Sequence, residues 1–437
     1  MKSKPQAVVV GGGLAGVEAA MQLARRGIQV KLYEMKPQKL SPAHKSPLLA
    51  ELVCSNSLKA ERLGSAAGLL KAEMQRFGSV IVEAALAAKV PAGGALAVDR
   101  DAFSELITQK IRSCDNIELL CEEIREIPRA DCVIIAAGPL ASEPLAESIG
   151  EFFGKSFLSF YDAAAPIVSA DSIDMSLAFT QSRYDRGGEE DYINCPMNKE
   201  QYELFHKELV NAELAQLHSF DKKNGVYEGC MPIETLAKRG TDAIRFGPMK
   251  PVGLTDPTTG HRPWAVLQLR KENSKGSMYN LVGFQTNLKF PEQKRVFSMI
   301  PALHEAEFLR YGVMHRNTFI DSPRLLNEDF STRQRQGLYF AGQITGVEGY
   351  CESAASGILA GYNAANYLLG KEPLSLPEIT MMGALSKYIS DETVKSFQPM
   401  GANLGILPPL TEKIKDKKLR YEALAQRSMD YFAELQL

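Results

Sequence analysis

The chain has 437 residues, too many for one ordinary hydrophobic core and enough for two or three domains. Apolar residues make up 45% and charged residues 23%, the balance of a soluble globular protein, and the net charge of -2 excludes a general polycation. Nucleic-acid binding, if present, must come from a local basic patch.

In chain order, residues 7–10 form an apolar run of strand type. Gly11, Gly12, Gly13, Leu14, Ala15 and Gly16 follow and fit G-x-G-x-x-G. Residues 17–26 read as a helix stopped by Gly27, and 30–33 as a second strand ended by Glu34. Gly11 permits a tight turn, Gly13 lets backbone approach a pyrophosphate, and Gly16 lets helix and strand pack closely. The helix N-terminus offers N–H groups and a positive dipole end to phosphates. Glu34 stands near the spacing of roughly 20 residues expected of the acid that binds a ribose hydroxyl. A dinucleotide site is expected; the bland alternative is a glycine-rich turn with no ligand.

No stretch reaches the roughly 18 to 20 uninterrupted apolar residues a membrane span needs. Residues 80–98 come nearest and carry Glu83, Lys89 and Pro91. The first residues run straight into a strand and glycine loop, so no signal peptide is expected. Seven cysteines without dense, even spacing suit a reducing cytosol and a cytoplasmic protein. No metal site, internal repeat, low-complexity segment or protein partner is evident.

Cys54 ends an apolar run and is followed by Ser55, Asn56 and Ser57, any of which could cap a helix. Cys230 stands just before Pro232 and "IETLAKR", which read as a short helix closed by Gly240. A thiol near a helix N-terminus is a nucleophile in waiting; packed structural cysteines are the commoner case. Cys114, Cys121 and Cys132 read as core, while Cys195 and Cys351 are ambiguous.

Two late signals favour FAD over a nicotinamide nucleotide. Residues 132–137 and 337–343 are buried strands, and 353–369 is a helix dense in Ala, Gly and Ser that closes at Gly370. In flavoproteins with two dinucleotide folds, a strand and helix of this kind, here with Gly342 and Gln343 between them, hold the flavin end. Ordinary close packing is the alternative. Only one G-x-G-x-x-G occurs, so NADH or NADPH would be a visitor. Residues 161–322 have a different, loop-rich texture. The expected architecture is therefore α/β: a discontinuous Rossmann-like FAD-binding domain of 1–160 plus 323–437, with an α/β substrate domain, 161–322, inserted.

Long blocks in order, among them "SPAHKSPLLAELVCSNSLK", "VPAGGALAVDRDAFS", "DYINCPM", "YEGCMPIE", "YNLVGFQTNLK" and "FAGQITGVEGYCESAASG", resemble the folate- and FAD-dependent tRNA uracil-5-methyltransferases, the TrmFO family of GidA-like flavoproteins. The resemblance runs from about residue 8 to 427. It implies methylation of C5 of uridine 54 in the tRNA T-loop. The carbon would come from 5,10-methylenetetrahydrofolate and the electrons from NAD(P)H through FAD. The family's two catalytic cysteines fall on Cys54 and Cys230, with Cys230 the expected nucleophile at uracil C6 and Cys54 the base or partner thiol. Candidate RNA-binding cations are Lys413, Lys415, Lys417, Lys418 and Arg420, and also Lys289, Lys294 and Arg295; each cluster could equally be a solvated helix face. The chain departs from the family pattern at Ala137, where threonine is usual, and at Gly401 and Leu404, where asparagine and phenylalanine are expected. Three rivals remain: the same chemistry on a uridine of large-subunit ribosomal RNA, an FAD-dependent oxidoreductase acting on a small molecule, and a non-enzymatic RNA-binding flavoprotein that would leave Cys54 and Cys230 without a task.

Overall fold

The computed structural model describes residues 5–41, 43–154, 158–185, 188, 191–215, 231–395 and 397–435. A five-stranded parallel sheet runs in the order Leu338–Phe340, Val133–Ile135, Gln6–Val10, Gln29–Glu34, Ile117–Cys121. The edge strand LYF and its neighbours VII and QAVVV are buried almost throughout. Such two-sided apolar strands belong to a sheet covered by helices on both faces.

The first helix spans Leu14–Arg25, starting three residues before the expected position because Gly13 itself is its N-cap. Gly27 follows with φ +78°, the left-handed stop expected of it. The late small-residue helix spans Tyr350–Leu368, again three residues earlier at its start, and Gly370 has φ +65°. These two helices lie side by side. A Cβ on Gly357 would stand 2.1 Å from the Ala15 carbonyl oxygen, and one on Gly361 2.6 Å from Ala19. The constant offset along both chains makes the helices parallel. Each follows a parallel strand, so both N-termini open at the carboxyl edge of the sheet, where ligands bind in open α/β folds.

A second sheet of six strands is antiparallel, in the order Phe179–Thr180, Tyr192–Met197, Ala265–Lys271, Met278–Leu281, Ile167–Ser169, Phe308–Arg310. The helices Lys199–Asn211 and Phe290–Phe297 pack on it over a separate apolar core that includes Val168, Phe205, Phe284, Phe297 and Ala306. The antiparallel pair Leu158–Ala163 and Met314–Phe319 carries the chain into and out of this region.

One local expectation fails. No helix follows Cys54; Ser57–Ala60 is a short strand paired with Ala95–Val98. Ser55 and Ser57 accept N–H groups two residues on, from Ser57 and Lys59, within this local chain, and Asn56 is engaged by distant segments, as described below. After Pro232, by contrast, a short helix does form over Ile233–Ala237, with Pro232 at its N-cap. Cys230 lies outside the described residues.

Candidate active site

At the carboxyl edge of the parallel sheet is a cleft of about 1100 Å³, counting its open mouth. Gly11, Gly13, Leu14 and Ala15 line one wall, Glu34, Lys36 and His44 a second, and Gly342, Gln343, Tyr350 and Ser353 a third. Ala137 lines it as well. Gly12 and Gly16 stand behind this surface. A Cβ on Gly16 would lie 1.8 Å from the Gly11 carbonyl oxygen, so its role is close packing. A Cβ on Gly13 would meet nothing within 4 Å; that side is open space.

Neither helix that opens here has a side-chain cap: the N-caps are Gly13 and Gly349. Their leading N–H groups are available to an anion. Glu34 is buried, and its two oxygens accept the N–H groups of Gly12 at 2.8 Å and Lys36 at 3.0 Å. Open space beside Gly13, bare helix ends and a carboxylate at the strand end fit a dinucleotide: diphosphate at the first helix, ribose at Glu34. Gly342 is held by its N–H donating to Ser356 Oγ at 2.7 Å, and Gln343 Nε2 donates to Glu348 Oε2 at 2.6 Å.

Lys36 and His44 were not singled out from the sequence. Burial pushes the Lys36 ammonium below its ordinary pKa, with Glu34 and Glu51 opposing. Burial, then the Lys36 charge, lowers His44. The signal for Lys36 was its place two residues after Glu34.

The Cys54 loop borders this cleft, since its neighbour Val53 lines it. The N–H groups of Cys54 and Ser55 both donate to the Tyr350 hydroxyl, at 2.8 and 3.0 Å. Three arginines grip the same loop. Arg100 donates to the Leu52 carbonyl at 2.6 Å and Arg310 to the Val53 carbonyl at 2.7 Å. Arg270 donates to Ser55 Oγ at 2.9 Å and to Asn56 Oδ1 at 3.0 Å. Asn56 Nδ2 in turn donates to the carbonyls of Val98 and Lys271. Asn56 is thus spent on tertiary bonds, and Ser55 Oγ accepts both from Arg270 and, at 3.1 Å, from the Ser57 N–H that leads into a strand rather than a helix. Arg100 is paired with Glu272 at 2.7 Å. Burial alone would lower the Arg100 pKa; Glu272, with Tyr350 and Cys54, reverses this and raises it. Burial, then the Cys54 charge, pushes the Tyr350 phenol far above its ordinary value, so it stays a neutral hydroxyl. None of these four partners had a sequence signal, because they lie between 48 and 296 residues from the groups they hold.

The remaining described cysteines separate by burial. Burial pushes the Cys132 and Cys195 thiols up to about 12 and Cys351 to about 11, so all three stay protonated at neutral pH. Cys114 and Cys121 are half-buried.

The two basic clusters differ. Lys289 pairs with Glu213, and Arg295 with Glu208 and Glu292, so most of that charge is neutralised locally. Lys413, Lys415, Lys417, Lys418 and Arg420 are all exposed, and Lys418 pairs with Glu422 at the long distance of 3.9 Å. Among the described residues no group of three or more His, Cys, Asp or Glu could hold a metal ion, and no helix is long and apolar enough to cross a membrane.

A parallel sheet with a glycine turn at its carboxyl edge, a small-residue helix against the first helix and an antiparallel second sheet define a GidA-like flavoprotein. The family described as glucose inhibited division protein A matches residues 6–372. The fold is that of GidA from Aquifex aeolicus, with a TM-score of 0.71 at 18% identity, covering 99% of this chain and 73% of that one. Within that class the sequence is more specific. It is 58% identical over 426 residues to the methylenetetrahydrofolate–tRNA-(uracil-5-)-methyltransferase TrmFO of Acetivibrio thermocellus, covering 98% of this chain and 97% of the relative. It is 55% identical over 427 residues to the TrmFO of Enterococcus faecalis, covering 98% of each. The chain belongs to the TrmFO family.

Proposed function

We propose that this chain methylates C5 of uridine 54 in the tRNA T-loop, taking the one-carbon unit from 5,10-methylenetetrahydrofolate and electrons from NADH or NADPH, in the cytoplasm. The name of its relatives supports the tRNA uracil and the folate. Gly11, Gly12, Gly13, Leu14, Ala15 and Gly16 hold the diphosphate of FAD, Glu34 its ribose, and Gly342 and Gln343 its flavin end. When bound, FAD supplies the reducing equivalents that convert a methylene to a methyl group. The inserted region, 161–322, is the part that meets the substrate.

Uracil C5 is a poor nucleophile. The Cys230 thiolate adds at C6 and leaves an enolate whose C5 can take up the one-carbon unit. A base then removes the C5 proton, the role given to Cys54, and the thiol departs from C6. The observation that carries this reading is the clamped Cys54 loop at the rim of the cleft. Arg270 and Arg310 set a preorganised positive field there, suited to an enolate oxygen, while Arg100 is balanced by Glu272.

The test incubates the purified yellow protein with NADPH, one-carbon-labelled methylenetetrahydrofolate and either unmodified tRNA or ribosomal RNA, then locates labelled 5-methyluridine. Label at tRNA position 54 is expected. Label in ribosomal RNA alone would keep the chemistry and change the substrate. No label, with NADPH still consumed, would point to a small-molecule oxidoreductase.

A further inference from the structure

Three aromatic rings form a ladder beside the second sheet. Phe290 stacks on Tyr311 with centroids 5.0 Å apart and planes 14° apart; Tyr311 stacks on Phe308 at 5.5 Å and 6°. Tyr311 is the middle rung. Phe290 is an outer one and is 50% exposed. Aromatic side chains ordinarily contribute by burying their faces. A near-parallel stack ending in a half-exposed ring is a surface shaped for another flat ring.

Its position ties it to the cysteine chemistry. The strand that starts at Phe308 ends at Arg310, which holds the Val53 carbonyl next to Cys54. On the other side, residues 285–289 lead directly into Phe290 and bond both flanks of the segment that carries Cys230. The Ala215 N–H donates to the Asn287 carbonyl at 2.8 Å, and the Ile233 N–H to the Gln285 carbonyl at 2.7 Å. The ladder is also locked in place. Gln293, with 0% exposure, donates to the carbonyls of Leu288 at 2.7 Å and Gly312 at 2.8 Å, and accepts the Gly312 N–H at 2.8 Å. The segments bearing Phe290 and Tyr311 are thereby held in register before any ligand arrives, which lowers the ordering cost of binding. The neighbouring cations Lys289 and Arg295 are paired with glutamates. The ladder therefore offers ring faces rather than net charge, and so suits a base rather than a phosphate.

We infer that the Phe290 face receives a nucleobase flanking the target uridine. This rests on the RNA reading above. When a base leaves its stack to reach an active site, its neighbour is left with an uncovered face. An aromatic platform tied through Arg310 to the Cys54 loop, and through Gln285 and Asn287 to residues 233 and 215, covers that face without reading base identity.

The experiment uses the full-length flavin-bearing protein with Phe290→Ala and Phe290→Trp, and an unmodified T-loop hairpin RNA as the probe. It measures the Kd and KM for the RNA, the KM for methylenetetrahydrofolate, and flavin absorbance. Phe290→Ala is expected to raise the RNA Kd and KM about tenfold, the order of one lost base–aromatic stack, with flavin content and folate KM unchanged. Phe290→Trp is expected to restore binding; it also serves as the test if the alanine variant misfolds, since tryptophan fluorescence should then respond to the RNA. An unchanged RNA Kd in Phe290→Ala overturns the inference, as does a rise confined to the folate KM, which would assign the platform to the carbon donor. A wild-type protein that methylates no RNA overturns the underlying methyltransferase reading. A wild-type protein that methylates RNA, with Phe290→Ala its equal, overturns the platform alone.

Discussion

At the cleft the groups open to a ligand include main-chain ones: the bare N–H groups of two helices and the open side of Gly13. At Cys54 the holding groups are side chains, namely Tyr350, Arg100, Arg270 and Arg310. The first kind of site depends on where a Cβ can and cannot be. The second can be dismantled one residue at a time, and each loss strands a buried partner. The two regions also treat buried carboxylates differently. Glu272, at the cysteine loop, faces the Arg100 guanidinium. Glu73, under the helices that follow the parallel sheet, accepts from the Met381 and Met382 N–H groups and from Ser428 Oγ.

The sharpest test of the side-chain site is Cys54→Ala. We expect methyl transfer to fall by roughly 10³-fold or more, as for loss of a group acting in the chemical step, while the protein stays yellow. Full activity, or loss of flavin, would break the separation between the two regions. Next in size is Glu272→Ala, which leaves the Arg100 charge buried and unpaired. Breaking such a pair costs about 3–5 kcal/mol, read as a lower denaturant midpoint; a loss below about 1 kcal/mol would mean that water reaches Arg100.

Glu73 gives the pH counterpart. Burial raises its pKa from 4.5 to about 7, against the pull of its three hydrogen-bond donors. The native state therefore binds this proton more tightly than the unfolded chain does. The stability this contributes is complete below about 4.5 and is lost as pH rises towards 7. The slope is at most about 1.4 kcal/mol per pH unit. Glu73→Gln should flatten that part of the profile, measured by urea midpoints at intervals across the window. Equal slopes in the two proteins would show that folding does not raise the Glu73 pKa.

The finest contrast lies within the glycine loop. Gly16→Ala drives a Cβ to within 1.8 Å of the Gly11 carbonyl oxygen and should cost about 1–3 kcal/mol by overpacking. Gly13→Ala meets nothing within 4 Å. It should leave stability within about 0.5 kcal/mol yet reduce flavin content. Equal stability losses for both would remove the distinction between a packing glycine and a ligand-facing one.

The glycine loop, its flanking strands and Glu34 were legible because their signals are local: alternation of apolar runs, glycine at a turn and an acid at a fixed distance. The helix expected after Cys54 was not, although Ser55, Asn56 and Ser57 are good caps. Arg270 claims the first two side chains from more than 200 residues away. The basic run at 289–295 likewise read either as an RNA-binding patch or as a solvated helix face; that Glu208 and Glu213, far back in the chain, face it was not legible.

By itself, then, the sequence determined the family, the dinucleotide turn and the two cysteines worth watching, since each is written in contiguous residues whose backbone preferences and spacing act locally. Tertiary structure alone decided what grips Cys54, which cations are cancelled and which rings stack beside it. Those are meetings of side chains from distant segments, and their energies arise only when burial removes water from between them.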